Sequence, residues 1–260
     1  MEQKKITQNM QRLLQELNSR EAITTAQAVR LLGVSESTAR RLFARMEEHG
    51  SILRTFGGIQ RTEKKAEEYN YDTLVDCNSA AKRVLALRAV ELVRDKDVIY
   101  LDGGTTLALF TEELARRIRD DALQGVVLFT NSLSTLSALN RLEGVTLLGG
   151  RFRPKRQDFC GHLTEAALRQ LRFTKCFLGT DAIEADRGFT TTDFETAQIN
   201  TLVLRFSQEK YILADATKFE RTSLTAFATP SEASVVSDCM PDTSQLKAFT
   251  AAGFSFLSDK

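Results

Sequence analysis

The sequence contains the stretch Ser35-Glu-Ser-Thr-Ala-Arg-Arg-Leu-Phe-Ala-Arg-Met-Glu-Glu-His49. Its apolar residues recur at i, i+3, i+4 and i+7, which is the spacing of one helical face. They are Ala39, Leu42, Phe43 and Met46. Ser35 is a favourable N-cap, and Gly50 is a favourable residue for ending a helix in the left-handed conformation. The pattern therefore predicts a short amphipathic helix between these two residues.

The opposite face of this helix is polar and cationic, and two further helices are predicted before it. Thr25–Leu32 reads as a short helix, and Gly33-Val34 gives the tight turn of a helix-turn-helix. An earlier helix, from Lys4 to Asn18, would complete a three-helix core. Its apolar residues are Ile6, Met10, Leu13, Leu14 and Leu17. A helix with a cationic outer face is suited to the DNA major groove. The predicted DNA contacts of the cationic helix are Ser35, Ser37, Thr38, Arg40, Arg41 and Arg45.

A β-hairpin is predicted directly after this helix. Residues 51–61 alternate around Gly57-Gly58, and the hairpin carries Arg54 and Arg61. A hairpin beside a recognition helix is a wing, and we predict that Arg54 contacts DNA. The alternative is that the arginines only solvate one face of a packing helix. Turn, caps, wing and charge coincide here, so DNA binding is the favoured interpretation.

The distribution of charge agrees with a polyanionic partner for the first part of the chain. The formal net charge of all 260 residues is only +1. Residues 1–65 carry 12 Lys and Arg against 7 Asp and Glu, whereas the remaining residues carry 23 against 27. The chain therefore joins a basic head to a mildly acidic body. The modest charge of one head predicts weak binding, so two linked heads are expected on one DNA site.

The length allows one small and one large domain. We predict a winged helix-turn-helix domain over residues 1–62, a linker over 63–78 and a larger domain over 79–260. No apolar run reaches the roughly 20 residues of a membrane-spanning helix, and no signal-peptide core is found, so we expect a cytoplasmic protein with no membrane partner. The four cysteines form no CxxC pair and only two histidines occur, so no metal or other cofactor is expected.

From residue 81 onward, apolar runs alternate with amphipathic stretches. Such alternation predicts a doubly wound, mostly parallel α/β fold with helices on both faces of the sheet. The predicted strands are Val98–Leu101, Val126–Phe129, Val145–Leu148, Cys176–Leu178, Tyr211–Ala214 and Ser234–Val236. The predicted helices are Ala81–Arg94, Thr106–Arg119, Leu133–Leu142, Leu163–Leu171 and Phe194–Phe206.

Small and polar residues follow five of the predicted strands, at the edge where open α/β sheets bind ligands. They are Asp102-Gly-Gly-Thr-Thr106, Thr130-Asn-Ser132, Gly149-Gly-Arg151, Gly179-Thr-Asp181 and Asp215-Ala-Thr-Lys218. In the first of these segments, glycines allow backbone N–H groups to approach an anion, two threonines add hydroxyl donors, and a helix N-terminus follows. This segment is therefore a predicted phosphate site.

Each polar segment also has a purely structural interpretation. Gly-Gly-Thr-Thr and Thr-Asn-Ser are common helix-capping turns, and Asp215 with Lys218 would make a surface ion pair of little energetic value. The convergence of five such segments on one sheet edge favours a polar pocket for a small molecule. In that pocket the Asp102, Asn131 and Asp181 side chains would accept hydrogen bonds from sugar hydroxyls, and Lys218 would neutralise an oxyanion.

Together these motifs resemble the DeoR family of bacterial transcription regulators. The resemblance rests on residues 35–43, 46–50 and 53–58 in the head and on all five polar segments with Gly188-Phe-Thr-Thr191 in the body. Leu42 stands where the family usually has Asp, and Ala182 where it often has Gly. The family resemblance implies a sensor for phosphorylated sugars or sugar metabolites, with a fold like that of ribose-phosphate isomerase. The resemblance implies a set of effector-binding residues: Asp102, Gly103, Gly104, Thr105, Thr106, Asn131, Ser132, Gly150, Asp181, Glu195 and Lys218.

A sugar-phosphate isomerase with a DNA-binding head is the alternative function. Isomerases of the similar fold carry two close carboxylates after the fourth strand, but Leu178 occupies the first of these positions here. Glu195 is followed by Thr196 instead of the usual Lys. We therefore expect a non-enzymatic regulator, a homodimer or homotetramer that represses a carbohydrate operon. A phosphorylated sugar or sugar alcohol would release it from operator DNA.

Overall fold

The computed structural model describes residues 9, 10, 12, 13, 16, 17, 20, 22–48, 52–61, 69–75, 77–139 and 141–257. The chain forms two compact units, Met1–Glu67 and Glu68–Lys260. Some of the sequence predictions lie outside the described residues. They concern Ile6, Leu14, Gly50 and the linker residues 63–68.

The first unit is a helix-turn-helix with a three-stranded antiparallel sheet. The described residues between 9 and 17 are helical. The elements that follow are β1 (Ala22–Thr24), α1 (Thr25–Leu32), α2 (Glu36–Glu48), β2 (Ile52–Thr55) and β3 (Gly58–Arg61). The strand order is β1-β3-β2. The sequence predicted α1, α2 and the hairpin but not β1, which is too short for alternation to show.

Local capping and a shared core hold the two helices of the first unit. Thr24 caps α1, and Gln27 completes a reciprocal capping box. The Ser35 hydroxyl accepts a hydrogen bond from the backbone N–H of Thr38 at 3.3 Å, so the predicted N-cap of α2 is confirmed. The predicted apolar face of α2 is also buried as expected. Its residues join one core with Leu13, Leu17, Ile23, Ala28 and Ile59.

The second unit contains a seven-stranded parallel sheet in the order β15-β14-β12-β9-β4-β5-β6. These strands are β4 (Val98–Leu101), β5 (Val127–Thr130), β6 (Val145–Leu147), β9 (Phe173–Gly179), β12 (Ser207–Leu213), β14 (Ser234–Val236) and β15 (Ser255–Phe256). Chain order runs outward in both directions from the β4–β9 pair, so the sheet is doubly wound as predicted. The pair is a topological switch point, where sheets of this type open a ligand crevice.

Helices flank this sheet. They are α3 (Tyr71–Leu74), α4 (Ser79–Val90), α5 (Thr105–Arg119), α6 (Leu133–Ala138), α7 (His162–Arg169), α8 (Phe194–Arg205) and α9 (Thr243–Ala251). Neighbouring residues of one strand point to opposite faces and enter two separate cores. In β9, Cys176 and Leu178 join one core, whereas Phe177 joins the other. Burial on both faces explains why these strands are continuously apolar.

Two small antiparallel sheets were not predicted from the sequence. One is the hairpin of β7 (Arg151–Arg153) and β8 (Asp158–Cys160), and the other joins β10 (Ala182–Glu184), β11 (Gly188–Thr191) and β13 (Thr225–Ala228). Their strands have only three or four residues, which is too short for a reliable alternating pattern. The β7–β8 hairpin matters for function because its connection carries Arg156.

Candidate functional site

The exposed face of α2 presents the predicted DNA contacts. Arg40, Arg41 and Arg45 are all exposed. The Arg40 guanidinium lies 2.6 Å from the Glu36 carboxylate, in an exposed i,i+4 pair of small energetic value. Neither Arg41 nor Arg45 has an ion-pair partner among the described residues. These two cations are therefore available to a polyanion.

Hydroxyl groups cluster at the N-terminus of α2. The Ser35 Oγ lies 3.0 Å from the Ser37 Oγ and 2.9 Å from the Thr38 Oγ1. The two serines are exposed and Thr38 is partly exposed. Recognition helices contact DNA chiefly through their N-terminal residues. The hydroxyl cluster and the free arginines thus share the surface that a helix-turn-helix presents to the groove.

The wing is attached to α2 through Glu47. The Glu47 carboxylate accepts a hydrogen bond from the backbone N–H of Arg54 at 3.2 Å and lies 3.8 Å from its guanidinium. Strands β2 and β3 are joined by Phe56 and Gly57, and the Phe56 side chain is fully exposed. The predicted contact residue Arg54 is also exposed. The tip of the wing therefore offers an aromatic ring next to a cation.

The second unit has a cavity of about 420 Å³ at the switch point of the sheet. Asp102 follows β4, Thr180 and Asp181 follow β9, and Asp215 follows β12, and all four line the cavity. The volume falls within the range of ordinary small-molecule sites. Of the predicted effector residues, seven line the cavity. They are Asp102, Gly103, Gly104, Thr105, Thr106, Asp181 and Lys218.

Asp102 connects the two loops at the switch point. Its Oδ1 accepts a hydrogen bond from the Gly103 N–H at 2.7 Å, and its Oδ2 accepts one from the Gly179 N–H at 3.1 Å. Burial raises the pKa of Asp102 to about 6, even though these two backbone hydrogen bonds act in the opposite direction. The carboxyl group therefore changes charge close to physiological pH.

Helix α5 begins directly at the cavity. Gly104 is its N-cap residue with φ of 100°, a conformation that residues with a side chain rarely adopt. No described side chain caps this end of the helix. The first N–H groups of a helix have no partner within the helix, and its dipole favours an anion there. The N-terminus of α5 thus has the properties of a phosphate-binding site.

Four cationic side chains also line the cavity: Lys82, Arg156, Lys218 and Arg221. Lys82 is buried, and its Nζ donates to the Leu74 carbonyl oxygen at 2.9 Å. Arg156 donates from Nη1 to the Thr192 hydroxyl at 3.3 Å and lies 3.1 Å from the Asp193 carboxylate. Lys82 and Arg156 are thus engaged with the protein. Lys218 and Arg221 bring further positive charge to the cavity.

The remaining predicted carboxylates are held by nearby threonines. The Asp181 Oδ2 accepts hydrogen bonds from the Thr191 hydroxyl at 2.9 Å and from the Thr192 N–H at 2.8 Å. Asp215 accepts from the Thr217 N–H at 2.9 Å and so caps the short turn Ala216–Lys218. The structure shows no Asp215–Lys218 ion pair among the described residues, so that alternative was wrong. The turn instead brings Lys218 to the cavity.

Two predicted effector residues after β5 do not line the cavity. The Asn131 Oδ1 accepts a hydrogen bond from the Tyr100 hydroxyl at 2.8 Å, and its Nδ2 donates to the Phe159 carbonyl oxygen at 2.7 Å. Asn131 is therefore buried and fully engaged with the sheet. Ser132 is also buried, and its hydroxyl caps α6 by accepting from the Thr135 N–H at 3.2 Å. Both residues stabilise the loop behind the cavity.

Gly150 and Glu195 also lie outside the cavity lining. A Cβ on Gly150 would lie 2.2 Å from the Thr164 hydroxyl oxygen, so glycine is required by close packing. Glu195 is half-buried and forms an ion pair with Arg151. Its carboxylate thus pairs with an arginine of the β7–β8 hairpin. The predicted set of lining residues is corrected by removing Asn131, Ser132 and these two.

The sequence did not reveal several residues that line the cavity. Lys82, Arg156, Arg221 and Tyr69 lie far apart in the chain and outside the five polar segments. For Lys82 a signal did exist, because it shares the buried face of α4 with Leu85. The other three come from irregular segments, where periodicity gives no orientation.

Both parts of the chain match models of one protein family. The DeoR-like helix-turn-helix domain matches residues 10–65 and the DeoR C terminal sensor domain matches residues 77–238. The chain belongs to the DeoR family. A protein of Escherichia coli O157:H7 named for repression of the aga operon is 32% identical over 222 residues, which cover 84% of this chain and 80% of the relative. A Staphylococcus epidermidis lactose phosphotransferase system repressor is 30% identical, covering 81% of this chain and 83% of the relative.

Among solved structures, ribose 5-phosphate isomerase A from Methanocaldococcus jannaschii aligns with 55% of this chain and 55% of its own chain, at 25% identity and a TM-score of 0.41. As a DeoR-family member, the protein is a DNA-binding transcriptional regulator with a C-terminal sensor domain. The family and the fold class predicted from the sequence are thereby confirmed. Every helix in the described part of the chain is too short or too polar to cross a bilayer.

Proposed function

We propose that this regulator represses a carbohydrate operon and leaves its operator when a phosphorylated sugar or sugar alcohol occupies the cavity. Relatives named for the aga operon and for a lactose phosphotransferase system support a role in carbohydrate use. The observation that carries the proposal is the cavity at the switch point. An uncapped helix N-terminus, four cationic side chains and the Asp102 and Asp181 carboxyl groups all line it.

The two ends of a sugar phosphate match the two kinds of group in this cavity. The phosphate would lie against Gly104–Thr106 at the N-terminus of α5, where backbone N–H groups and the helix dipole favour an anion. Lys218 and Arg156 would neutralise its second charge. The hydroxyl groups of the sugar would donate to Asp102 and Asp181. Arg156 is already paired with Asp193, but Lys218 has no ion-pair partner among the described residues. A neutral sugar would leave the Lys218 charge unpaired, so the phosphate should determine affinity.

Operator binding in this proposal needs two heads at once. Residues 1–65 carry only 12 Lys and Arg against 7 Asp and Glu, so one copy should bind weakly, and a second copy on the same operator supplies avidity. We therefore propose a homodimer or homotetramer whose bodies set the spacing of the heads. Effector binding would change that spacing, and a coupling of about 1–3 kcal/mol would weaken operator affinity roughly five- to 150-fold.

The proposal also holds that the cavity binds its ligand without converting it. An isomerase needs a carboxylate base beside the sugar carbons. Leu178, at the position where the similar isomerases have a carboxylate, is fully buried, and Glu195 is paired with Arg151 outside the cavity. An NMR time course with ribose 5-phosphate and fructose 6-phosphate should therefore show no product. Turnover at ordinary enzyme rates would establish the isomerase alternative.

The regulatory proposal is tested with an operator selected from genomic DNA by the protein itself. Fluorescence anisotropy measures its affinity with ribose 5-phosphate, fructose 6-phosphate or glucitol 6-phosphate, and with the three unphosphorylated compounds. At least one phosphorylated compound should release the operator, and its unphosphorylated counterpart should not. Equal release by the free sugar, or no release by any of the three phosphates, would overturn the proposal.

Variants separate the two activities. Arg41→Ala should weaken operator binding about tenfold, while the phosphorylated compound still raises its melting temperature. Lys218→Ala should bind operator normally but need a much higher concentration of the compound for release. Lys247→Ala is the matched control, since Lys247 is an exposed lysine of α9 that does not line the cavity. A Lys218→Ala protein that responds as Lys247→Ala does would remove Lys218 from the site.

A further inference from the structure

Tyr69 lies at the start of the sensor domain and reaches the proposed phosphate site. Its hydroxyl oxygen is 3.2 Å from the position that a Cβ on Gly104 would occupy. Tyr69 lines the same cavity as the N-terminus of α5. The Arg156 guanidinium lies over its ring, 4.3 Å from the ring centroid. The phenol is thus held by a cation on one side and directed toward the Gly104 loop on the other.

Two buried donors in this cavity have no hydrogen-bond partner among the described residues. They are the Tyr69 hydroxyl and the Arg156 Nε. A buried polar group without a partner costs about 1–3 kcal/mol, so native proteins rarely retain one without a function. Arg Nε can only donate, and the Asp158 carboxylate oxygen lies 3.8 Å from it, beyond hydrogen-bond distance. A phenol donates readily to an anion. An oxygen of a bound ligand would supply the acceptor that both groups lack.

We propose that Tyr69 is an effector-binding residue whose hydroxyl donates a hydrogen bond to an oxygen of the bound phosphate. The inference rests on the proposed function, because it places the phosphate at α5. Arg156 would donate from Nε to the same group while keeping its contact with the Tyr69 ring. The position of the Tyr69 side chain then depends on whether the cavity is occupied.

The backbone around Tyr69 gives this contact a second consequence. Tyr69 directly follows the segment that joins the sensor to the head in sequence. The next residues are attached to the β7–β8 connection, where the Tyr71 N–H donates to the Lys155 carbonyl oxygen at 2.9 Å and Gln157 donates to the Asp72 carboxylate at 3.1 Å. Arg156 belongs to this same connection. Ligand contact with Tyr69 and Arg156 would therefore fix the chain directly after the segment that joins the head to the sensor, and so couple occupancy to operator release.

The test uses the full-length chain with Tyr69→Phe, which removes the hydroxyl and keeps the ring over Arg156. Tyr71→Phe is the matched control, since Tyr71 lies two residues from Tyr69 and does not line the cavity. Calorimetry measures the binding of inorganic phosphate, ribose 5-phosphate, fructose 6-phosphate and glucitol 6-phosphate. Anisotropy measures operator release at saturating ligand.

Tyr69→Phe should melt at or above the temperature of the unliganded wild type, because the lost hydroxyl is buried and has no partner among the described residues. It should bind the tightest of these ligands about tenfold or more weakly, as expected for a lost hydrogen bond to a charged group, and release operator less completely at saturation. Tyr71→Phe should bind and release as wild type does. Unchanged affinity in Tyr69→Phe would overturn the inference and leave the proposed function intact. If none of these ligands bound the wild type, both the inference about Tyr69 and the proposed function would be wrong. Full release by saturated Tyr69→Phe would refute the coupling.

Discussion

Replacing Asp102 by Asn should remove a specific pH dependence of stability from the sensor domain. Burial raises the pKa of this carboxyl from 3.8 to about 6. Between these pH values the folded protein holds a proton that the unfolded chain has released. The free energy of unfolding therefore falls as the pH rises from about 4 to about 6. A pKa difference of about two corresponds to about 3 kcal/mol.

The pH slope is more informative than the absolute stability of this variant. An asparagine side chain has no charge to desolvate, which favours the variant at pH 7. It also has only one acceptor oxygen for the Gly103 and Gly179 N–H groups, which disfavours it. These two effects oppose each other at neutral pH. Only the wild type should lose about 3 kcal/mol across the acid range because of Asp102.

Urea unfolding followed by circular dichroism measures this difference, since the chain contains no tryptophan. Titrations of wild type and Asp102→Asn at several pH values from 4 to 7.5 give two stability curves. Their difference should change by about 3 kcal/mol between pH 4 and pH 6 and then level off. Parallel curves would show that Asp102 titrates normally and would refute the burial argument.

Asp242→Asn is a control in which the pH dependence of stability should have the opposite sign. The backbone N–H of Gln245 lowers the pKa of Asp242, together with the Ser244 side chain and backbone. This carboxylate therefore stabilises the protein above its ordinary pKa and loses that contribution as the pH falls. The stability lost by Asp242→Asn should shrink toward acid pH, whereas the Asp102 difference runs in the other direction.

Three further substitutions test the head and the sheet. Arg41→Ala should weaken operator binding about tenfold, which corresponds to about 1.4 kcal/mol. The loss should exceed that of Arg40→Ala, because Arg40 already pairs with Glu36. Equal losses of affinity in the two variants, measured by fluorescence anisotropy, would contradict this. Phe43→Ala should destabilise the head by about 3–5 kcal/mol in urea unfolding, since Phe43 is 2% exposed. A decrease of less than about 1 kcal/mol in the free energy of unfolding would refute the burial of this ring in the core. Asp97→Asn removes the carboxylate that lies 2.7 Å from Lys175, whose side chain is 2% exposed, and leaves only the partly exposed Glu209 carboxylate at 3.6 Å. The substitution should cost about 1–3 kcal/mol, and an unchanged unfolding midpoint would contradict this.

Features that depend on a clear periodicity of apolar residues could be predicted from the sequence. The buried face of α2 follows from the spacing of Ala39, Leu42, Phe43 and Met46, and all four residues are buried. The sheet edge followed from apolar strands that end in polar residues. Asp102 and Asp181 could therefore be placed together before any coordinates, because parallel strands bring their carboxyl ends to one edge.

Side-chain direction at that edge could not be predicted. Asn131 follows a strand just as Asp102 does, but the Tyr100 hydroxyl on the neighbouring strand binds its amide. Arg156 enters the cavity from a hairpin connection without periodicity, and Tyr69 from a short segment before α3. Such placements depend on tertiary contacts between distant parts of the chain.

Amide NMR tests directly whether the phosphate of the effector lies at the N-terminus of α5. Adding the phosphorylated compound that releases operator to the ¹⁵N-labelled protein should shift the amide signals of Gly104, Thr105 and Thr106 more than those at the opposite end of the sheet. The unphosphorylated compound should not produce these shifts. Unchanged amide chemical shifts of Gly104–Thr106 in a protein saturated with that ligand would contradict a phosphate site at the N-terminus of α5.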